Sequence, residues 1–239
     1  MNPAESPLRI GDRVIYRNNQ FLALNKPAGL PTQPDPTGDS SLLQLARIYA
    51  RCPLFVTHRI DRPASGIVLF AKTERALQAI NEQFRNRTVR KSYLAVVANP
   101  PSNPEGYLYG RLIKDGKANR SMVVGPETAK GVESVLHYKM LGQSDYYALL
   151  EIDLFTGRHH QIRAQLAAAG CPIRGDVKYG FKRGNKDRSI QLHAWKLAFV
   201  HPVSQEMVQL EAPVPEEPLW DYFRPFCEKA TEPPTQSKE

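Results

Sequence analysis

Residues 58–66, HRIDRPASG, place one carboxylate, that of Asp61, between Arg59 and Arg62, and they close on a Ser-Gly turn. Two arginines close to an acid favour its ionised form. An ionised acid suits a nucleophile or an ion pair at a negatively charged substrate, but a structural ion pair at a turn explains the same spacing equally well. The apolar run GIVLFAK follows directly and is typical of a buried strand. We therefore expect Asp61 to project from a strand edge, outside the core.

The composition indicates a globular, basic protein. The chain has 239 residues, 41% of them hydrophobic and 23% charged, and a net charge of +8 that favours a polyphosphate partner such as RNA. No stretch approaches the roughly 18 apolar residues of a membrane span. The N-terminal stretch MNPAESPLRIGD has no apolar signal core, so we expect a cytoplasmic protein without a membrane partner.

Cofactor and metal motifs are missing from the sequence. The three cysteines form no CxxC pair, which argues against a disulfide framework and a structural zinc site. Neither a GxGxxG nor a GKS/GKT stretch occurs, so a nucleotide cofactor is unsupported. We expect neither a cofactor nor a metal.

The order of polar and apolar segments predicts one domain with loose ends. We expect a flexible N-terminus over 1–9, a domain over 10–228 and a disordered tail over 229–239. The stretch 99–106, NPPSNPEG, is the strongest candidate for a break, although eight residues can simply join two strands.

The residue patterns predict many strands and few helices. We expect a hairpin over 13–29 that turns at Asn18-Asn19, a helix near 41–51 capped by Ser40, and a helix capped by Thr73. Further elements are predicted as strands at 66–72, 88–98, 133–141, 146–155, near 190–199 and at 206–212, and a helix at 157–170 that Gly170 ends. This pattern indicates an α+β fold with a large, mainly antiparallel sheet.

The predicted helix GRHHQIRAQLAAAG carries a second basic site. Arg163 would share a face with His159, four residues earlier, and its neighbours Ile162 and Leu166 suggest that it is half buried. A half-buried arginine needs a carboxylate partner, whereas a solvated basic helix would not. The adjacent His159 and His160 would point about 100° apart on a helix and lack a third ligand, so a metal site is not expected.

The strand over 88–98 places an aromatic residue among cations. Tyr93 shares a strand face with Lys91, beyond a basic run that includes Arg85, Arg87 and Arg90. Such an aromatic residue can stack on a nucleobase while the charges hold phosphate. Packing in the core or on the sheet is the commoner role of a strand tyrosine.

These stretches, in their order along the chain, resemble the RluA family of pseudouridine synthases over about residues 14–212. The resemblance lies in VIYRNNQFLALNKPAG, HRIDRPASGIVLFAKT, RKSYLAVV, TGRHHQIR and LHAWKLAFVHP. Two positions depart from the family pattern: Gln165 stands where many relatives have histidine, and Pro63-Ala64 where an acidic or polar residue and threonine are common. Neither departure affects Asp61 or Arg163, so they bear on substrate details.

The resemblance implies a pseudouridine synthase catalytic fold, a large mainly antiparallel mixed sheet with flanking helices and a central cleft. It makes Asp61 the nucleophile, Arg163 its ion-pair partner and Tyr93 the ring that packs against the target base. It further implies that Arg59 enters the RNA stack where the target nucleotide leaves it. The other expected substrate contacts are Lys26, His58, Arg62, Lys91, Arg158 and His160.

The implied reaction isomerises uridine in transfer RNA or large-subunit ribosomal RNA without a cofactor. We expect a monomer, and a compact family member without the N-terminal RNA-binding module that many relatives carry. Whether Asp61 attacks the sugar, attacks the base or deprotonates the ribose is open at this point.

Two other classes of function remain as alternatives. One is a non-catalytic RNA-binding protein that has kept the fold. The other is a glycoside hydrolase, which needs a second carboxylate about 5–9.5 Å from the first; Asp153 and Asp176 are the candidates.

Overall fold

The computed structural model describes residues 8–125 and 127–231, in which strands hold more residues than helices do. The strands are β1 (Val14–Arg17), β2 (Phe21–Lys26), β3 (Phe55–Val56), β4 (Ser65–Ala71), β5 (Arg90–Ala98), β6 (Glu105–Asp115), β7 (Arg120–Val124), β8 (Val132–Gln143), β9 (Tyr147–Leu154), β10 (Leu192–Val200) and β11 (Met207–Glu211). The helices are α1 (Leu42–Ala50), α2 (Glu74–Arg85), α3 (Gln161–Ala168) and α4 (Pro218–Thr231).

All of these strands join one sheet of eleven strands. Nine follow the order β1-β2-β4-β10-β5-β9-β8-β6-β7, while β11 pairs with β10 and β3 pairs with β4. Every pairing is antiparallel except that of β4 with β10. The predicted α+β class with a large, mainly antiparallel mixed sheet is confirmed.

The parallel junction of β4 and β10 explains the Ser-Gly pair that closes the HRIDRPASG stretch. Gly66 has a φ of +113°, and a Cβ there would lie 2.3 Å from the backbone oxygen of Ala194, so only glycine fits. The buried His193 donates from Nε2 to Ala212 O at 3.2 Å, so its Nδ1 accepts from the Ser65 hydroxyl at 2.8 Å. Burial lowers the pKa of His193 to about 4, which keeps this junction uncharged.

The helices cover both faces of the sheet. Leu42 of α1 and Ile162 of α3 join one core cluster, whereas Ile80 of α2 belongs to a cluster on the opposite face. Trp220 and Phe223 of α4 form a third cluster with β5, β9 and β10.

One of two predicted helix caps is confirmed, and the other lies one residue further along the chain. Thr73 caps α2 as predicted, accepting from Ala76 N at 3.1 Å. The cap of α1 is Ser41 and not the predicted Ser40, because Ser41 and Gln44 form a reciprocal capping box.

The helix predicted over 157–170 begins four residues later, at Gln161. His160 is its N-cap and has a left-handed backbone with a φ of 52°. Residues before it are not helical, so the prediction that His159 and Arg163 share a helix face is wrong. Gly170, with a φ of +79°, follows the C-cap and ends the helix as expected.

The limits of the predicted domain fall at the ends of the described chain. A short 3-10 helix covers Ile10–Arg13, and α4 runs past the predicted boundary at 228 to Thr231. Of the predicted flexible N-terminus over 1–9 and the predicted disordered tail over 229–239, residues 1–7 and 232–239 lie outside the described residues. Within 8–125 and 127–231, no helix is long and apolar enough to cross a membrane.

Candidate active site

Asp61 lies in the loop between β3 and β4, which is fixed on both sides of the acid. Thr32 Oγ1 donates to Ile60 O at 3.2 Å, and Gly29 N donates to Arg62 O at 2.8 Å. A turn closes from Ala64 N to Asp61 O at 3.0 Å. The Asp61 side chain, 25% exposed, faces a groove.

Lys26 is the buried cross-link beneath this loop. Its Nζ donates to the carbonyl oxygens of Pro27, Leu30 and Arg62 at 2.9, 2.7 and 3.1 Å. The residue has no exposed surface, and burial lowers its pKa to about 7 although the charge of Asp61 acts in the opposite direction. Lys26 does not reach the groove, contrary to its assignment as an RNA contact, because all three of its protons are used inside the protein.

Arg163 is bonded to two carboxylates at once. It donates from Nη1 to Asp61 Oδ2 at 3.0 Å, from Nε to Asp176 Oδ2 at 2.6 Å and from Nη2 to Asp176 Oδ1 at 2.8 Å. The structure thus brings Asp61 and Arg163 together, 102 positions apart in the chain. Burial by itself lowers the pKa of Arg163, but the bonds to Asp176 and the charge of Asp61 raise it above its ordinary value.

The role of Asp176 was missed by the sequence analysis, which weighed this acid only as a hydrolase carboxylate. Its side chain is 1% exposed, and both of its oxygens are held by Arg163. It therefore balances the charge of Arg163 in the interior, and Asp61 carries the remaining negative charge into the groove. The Gly-Asp pair of GDVKYG, close to the Arg163 motif, was the available sequence signal.

Tyr179 and His160 complete the surroundings of Asp61. The Tyr179 ring lies 5.0 Å from the guanidinium carbon of Arg163, and its hydroxyl accepts from Ser121 N at 2.8 Å. The hydroxyl proton is then directed to His160 Nδ1, at 3.0 Å. This leaves the Nε2 proton of His160 facing Asp61 Oδ2 at 3.8 Å. Burial lowers the pKa of His160 to about 4, despite the charge of Asp61, so the ring is a neutral neighbour of the acid.

Tyr93 projects from β5 into the same groove. The residue is 9% exposed, and its hydroxyl makes no hydrogen bond to the described residues. Burial, followed by the charge of Asp61, raises the pKa of Tyr93 above its ordinary value, so the phenol stays protonated. Lys91, also in the groove, has its pKa lowered by burial, and its Nζ lies 5.9 Å from the centre of the Phe84 ring.

The groove has a volume of about 960 Å³. Its walls come from the loops over 31–36, 57–62 and 154–163, and Asp61, Tyr93 and Arg163 lie together among its lining residues. The basic residues that line it are Arg59, Arg62, Arg85, Arg87, Lys91, Lys114, Arg158 and Arg163. Two carboxylates also line the groove: Asp35, which is paired with Arg62 at 3.5 Å, and Asp61. A rim in which cations outnumber carboxylates suits a polyanionic substrate whose backbone stays at the edge.

Neither of the two arginines beside Asp61 in the sequence forms an ion pair with it. Arg62 forms ion pairs with Asp35, at 3.5 Å, and with Asp39. Arg59 is exposed and forms no ion pair with the described residues. The arginine that is bonded to Asp61 is Arg163, from the distant helix α3.

The remaining residues predicted to contact RNA include His58 and Arg158. His58 Nε2 accepts a hydrogen bond from Leu69 N of β4 at 3.1 Å. Burial lowers the pKa of His58 to about 3, so the ring is neutral and stabilises this strand. Arg158 lies exposed in the groove and donates from Nε to Glu133 O at 3.1 Å. In the described part of the chain, no three His, Cys, Asp or Glu side chains are grouped so as to hold a metal ion.

Comparison with known proteins agrees with this geometry. A family model described as RNA pseudouridylate synthase matches residues 20–168. The uncharacterized RNA pseudouridine synthase YlyB of Bacillus subtilis is 33% identical over 214 residues, which cover 85% of this chain and 69% of YlyB. The ribosomal large subunit pseudouridine synthase D of Zymomonas mobilis is 30% identical, over 90% of this chain and 72% of its own.

Two solved human structures share the fold. Human RNA pseudouridylate synthase domain containing 1 superposes with a TM-score of 0.76 at 24% identity, covering 91% of this chain and 90% of the human chain. Human RNA pseudouridylate synthase domain containing 4 gives a TM-score of 0.72 at 23% identity, covering 92% and 93%. The family match and the relatives together show that the chain belongs to the RluA family of RNA pseudouridine synthases.

Proposed function

We propose that Asp61 carries out the isomerisation of uridine, with Arg163 as its fixed counter-ion and Tyr93 as the ring against the base. The observation that carries the proposal is the Asp61–Arg163 contact of 3.0 Å at the floor of the basic groove. Arg163 donates a charge-assisted hydrogen bond that fixes the position of this carboxylate. An ionised carboxylate can attack the nucleotide or take a proton from it.

The reaction rearranges atoms that are already in the substrate. The bond from ribose C1′ to the ring nitrogen breaks, the uracil turns, and a bond from C1′ to carbon 5 forms. The carbon 5 proton then leaves, and the ring nitrogen released from C1′ takes up a proton, so the product is an isomer of the substrate. Nothing is oxidised and no group is imported, so residues of this chain suffice to provide acid, base and binding.

The substrate base must leave its stack before it can reach Asp61. Extrusion costs a few kcal/mol, and the basic rim offsets this cost through phosphate contacts. In our proposal the exposed Arg59 fills the space that the base leaves in the RNA. The exposed Arg85, Arg87 and Arg158 hold the backbone.

Tyr93 is proposed to keep the detached uracil in place. Its ring lines the groove next to Asp61, and its raised pKa keeps the hydroxyl protonated at neutral pH. A protonated phenol can donate a hydrogen bond but cannot accept the carbon 5 proton. The carboxylate of Asp61 is then the base nearest to that proton.

The proposed substrates are transfer RNA and large-subunit ribosomal RNA. The printed name of the Zymomonas relative refers to the ribosomal large subunit, and sequence-specific readout by this kind of protein targets unpaired loops or bulges. We further propose a single catalytic domain over 10–228 that acts as a monomer in the cytoplasm.

Mapping of pseudouridines in total RNA, with and without the gene, tests the proposal. We expect specific sites to disappear on deletion, to return with the wild-type gene and with Asp145→Asn, and to stay absent with Asp61→Asn. Asp145 is an exposed acid in the turn between β8 and β9, so its substitution changes the charge equally without touching the groove. Restored sites with Asp61→Asn would contradict the role of this acid.

The same experiment separates the alternatives. A non-catalytic RNA-binding protein would leave every pseudouridine in place on deletion of the gene, while the purified protein still binds RNA. A glycoside hydrolase would release free uracil or sugar. The structure does not favour the hydrolase, because Asp176 is enclosed by Arg163 and Asp153 does not line the groove.

A further inference from the structure

Three exposed aromatic rings form a row beside the groove. Tyr107 and Tyr109 of β6 are 53% and 69% exposed, and Phe155, directly after β9, is 48% exposed. The ring centres of Tyr107 and Tyr109 are 5.7 Å apart at 22°, and those of Tyr107 and Phe155 are 6.3 Å apart at 26°. These three rings, called the aromatic row below, are nearly parallel.

Packing of the core does not account for the aromatic row. The opposite face of β6 supplies the buried residue, Leu112, which clusters with Ala164 of α3. The row lies on the other face, where the His137 ring supports Tyr107 at 4.7 Å and is itself paired with Glu105 at 3.0 Å. A ring that contacts a neighbour across the strands yet stays exposed is suited to a ligand that stacks.

The aromatic row is continuous with the groove. Phe155 is both the first ring of the row and a lining residue of the groove that contains Asp61. An RNA strand whose target base lies at Asp61 can therefore pass from the groove to Tyr107 and Tyr109 without leaving the protein surface.

Fixed cations stand at both ends of the row. Arg158 lines the groove near Phe155, and Arg111 follows Tyr109 by two residues on the same face of β6. Arg158 Nε is anchored on Glu133 O at 3.1 Å, and Arg111 Nη2 on Gly131 O at 2.8 Å. Neither guanidinium has a carboxylate of the described residues within 4.0 Å, so both charges remain available to phosphates.

We propose that the aromatic row binds unpaired bases of the substrate RNA next to the target uridine. The bases stack on Tyr107, Tyr109 and Phe155, and Arg158 and Arg111 hold the phosphates at the two ends. Nearly parallel rings flanked by cations match single-stranded nucleic acid, in which every base offers a flat face and every linkage a charge. The inference rests on the proposed function for the identity of the RNA, and it adds a requirement for unpaired nucleotides on one side of the target.

Binding of short single-stranded RNA tests the row. The probes are a labelled 12-nucleotide oligoadenylate and an oligonucleotide of equal length whose nucleotides lack bases. The protein variants are Tyr107→Ala/Tyr109→Ala, Tyr107→Phe/Tyr109→Phe and, as a matched control, Tyr146→Ala. Tyr146 is 78% exposed in the β8–β9 turn and is not part of the row.

We expect the double alanine variant to bind oligoadenylate about tenfold more weakly or worse, since each stacked base contributes about 1–3 kcal/mol. The double phenylalanine variant and Tyr146→Ala should bind as the wild type does, because both keep the rings of the row. The slope of log affinity against log salt should stay unchanged in the double alanine variant, since no phosphate contact is removed. The base-free probe should not distinguish the wild type from that variant.

Three results would overturn the inference. The first is that the double alanine variant binds oligoadenylate as tightly as the wild type does. The second is that this variant loses affinity for the base-free probe to the same extent as for oligoadenylate. The third is a change in sedimentation with no change in RNA binding, which would assign the row to contact between two copies of the chain. Failure of the proposed function is seen separately, because it shows as absence of pseudouridine formation by the wild type. If the wild type forms pseudouridine while the row variants bind RNA normally, only the proposed role of the aromatic row is contradicted.

Discussion

At the scale of single residues, the site depends on how one buried arginine is shared. Arg163 bonds to Asp61, which is open to the groove, and to Asp176, which is enclosed. Arg163 and Asp176 thus form a neutral pair in the interior. The carboxylate that faces the groove is that of Asp61, and the buried Arg163 fixes its position.

Replacement of Arg163 by alanine should weaken both folding and turnover. The change leaves Asp176 buried without a counter-ion, and we expect the free energy of unfolding to fall by about 3–5 kcal/mol. Urea unfolding measures this loss. Adding Asp176→Asn to Arg163→Ala should recover part of the stability, because the stranded charge is removed, but it should not recover turnover. A single variant with wild-type stability and full activity at neutral pH would contradict the shared ion pair.

Tyr93→Phe keeps the ring of Tyr93 and removes its hydroxyl, so it tests the hydroxyl alone. The hydroxyl makes no hydrogen bond to the described residues, so the free energy of unfolding should change by less than about 1 kcal/mol. We expect turnover of substrate RNA to be lost while RNA affinity is kept, as measured by pseudouridine formation and filter binding. If the variant is as active as the wild type, the hydroxyl has no part in catalysis.

The residues of the site divide according to what sequence can show. Asp61, Tyr93 and Arg163 lie in contiguous motifs, so their types and spacing were visible. Asp176 was not assigned, because its bond to Arg163 depends on how the loop after α3 folds back. Lys26 lies in an equally clear motif but is held inside the protein, since a motif records which residues are needed and not whether they face solvent or core.

At the scale of elements, local pattern predicted regular strands and failed where backbone conformation is unusual. The 13–29 hairpin and the strand at Ser65–Ala71 have simple alternation or continuous apolar runs. α4 was not predicted, and Pro225 within it is a residue typical of helix breaks. β6 carries its large aromatic residues on an exposed face with a glycine on either side of them, so it lacked the pattern of a half-buried strand.

The junction of β4 and β10 can be tested with one methyl group. Gly66→Ala would bring a Cβ to 2.3 Å from Ala194 O in a backbone with a φ of +113°, and we expect the free energy of unfolding to fall by about 3 kcal/mol or more. Gly170→Ala is the matched control, because Gly170 has a φ of +79° but no atom within 4 Å of the added Cβ. Chemical unfolding of both variants separates backbone strain from the clash. An equal fall in the free energy of unfolding of Gly66→Ala and Gly170→Ala would show that β4 and β10 can move apart to accept the added methyl group.

At the scale of the whole molecule, buried neutral histidines make stability dependent on pH. Burial lowers the pKa of His193 and of His160 to about 4 and that of His58 to about 3, against an ordinary value of 6.5. Between about pH 6.5 and 4 the unfolded chain binds protons that the folded chain does not. The free energy of unfolding should therefore fall as the pH falls through this range.

Urea unfolding at pH 7 and pH 5 measures this dependence, and proton NMR follows the individual rings. We expect the three buried histidines not to titrate between these two pH values. An unfolding free energy that is the same at pH 7 and pH 5 would contradict the neutral state of these rings in the folded protein.

The position of β10 has a consequence for synthesis of the chain. β10 (Leu192–Val200) lies between β4 and β5, yet it is made more than ninety residues after both of them. Until the ribosome has released residue 200, two long apolar strands have an unsatisfied backbone edge each, which is the condition under which unfinished chains associate wrongly. The sheet can therefore be completed only late in synthesis. We expect a chain that terminates before residue 200 to be degraded by proteases or bound by chaperones.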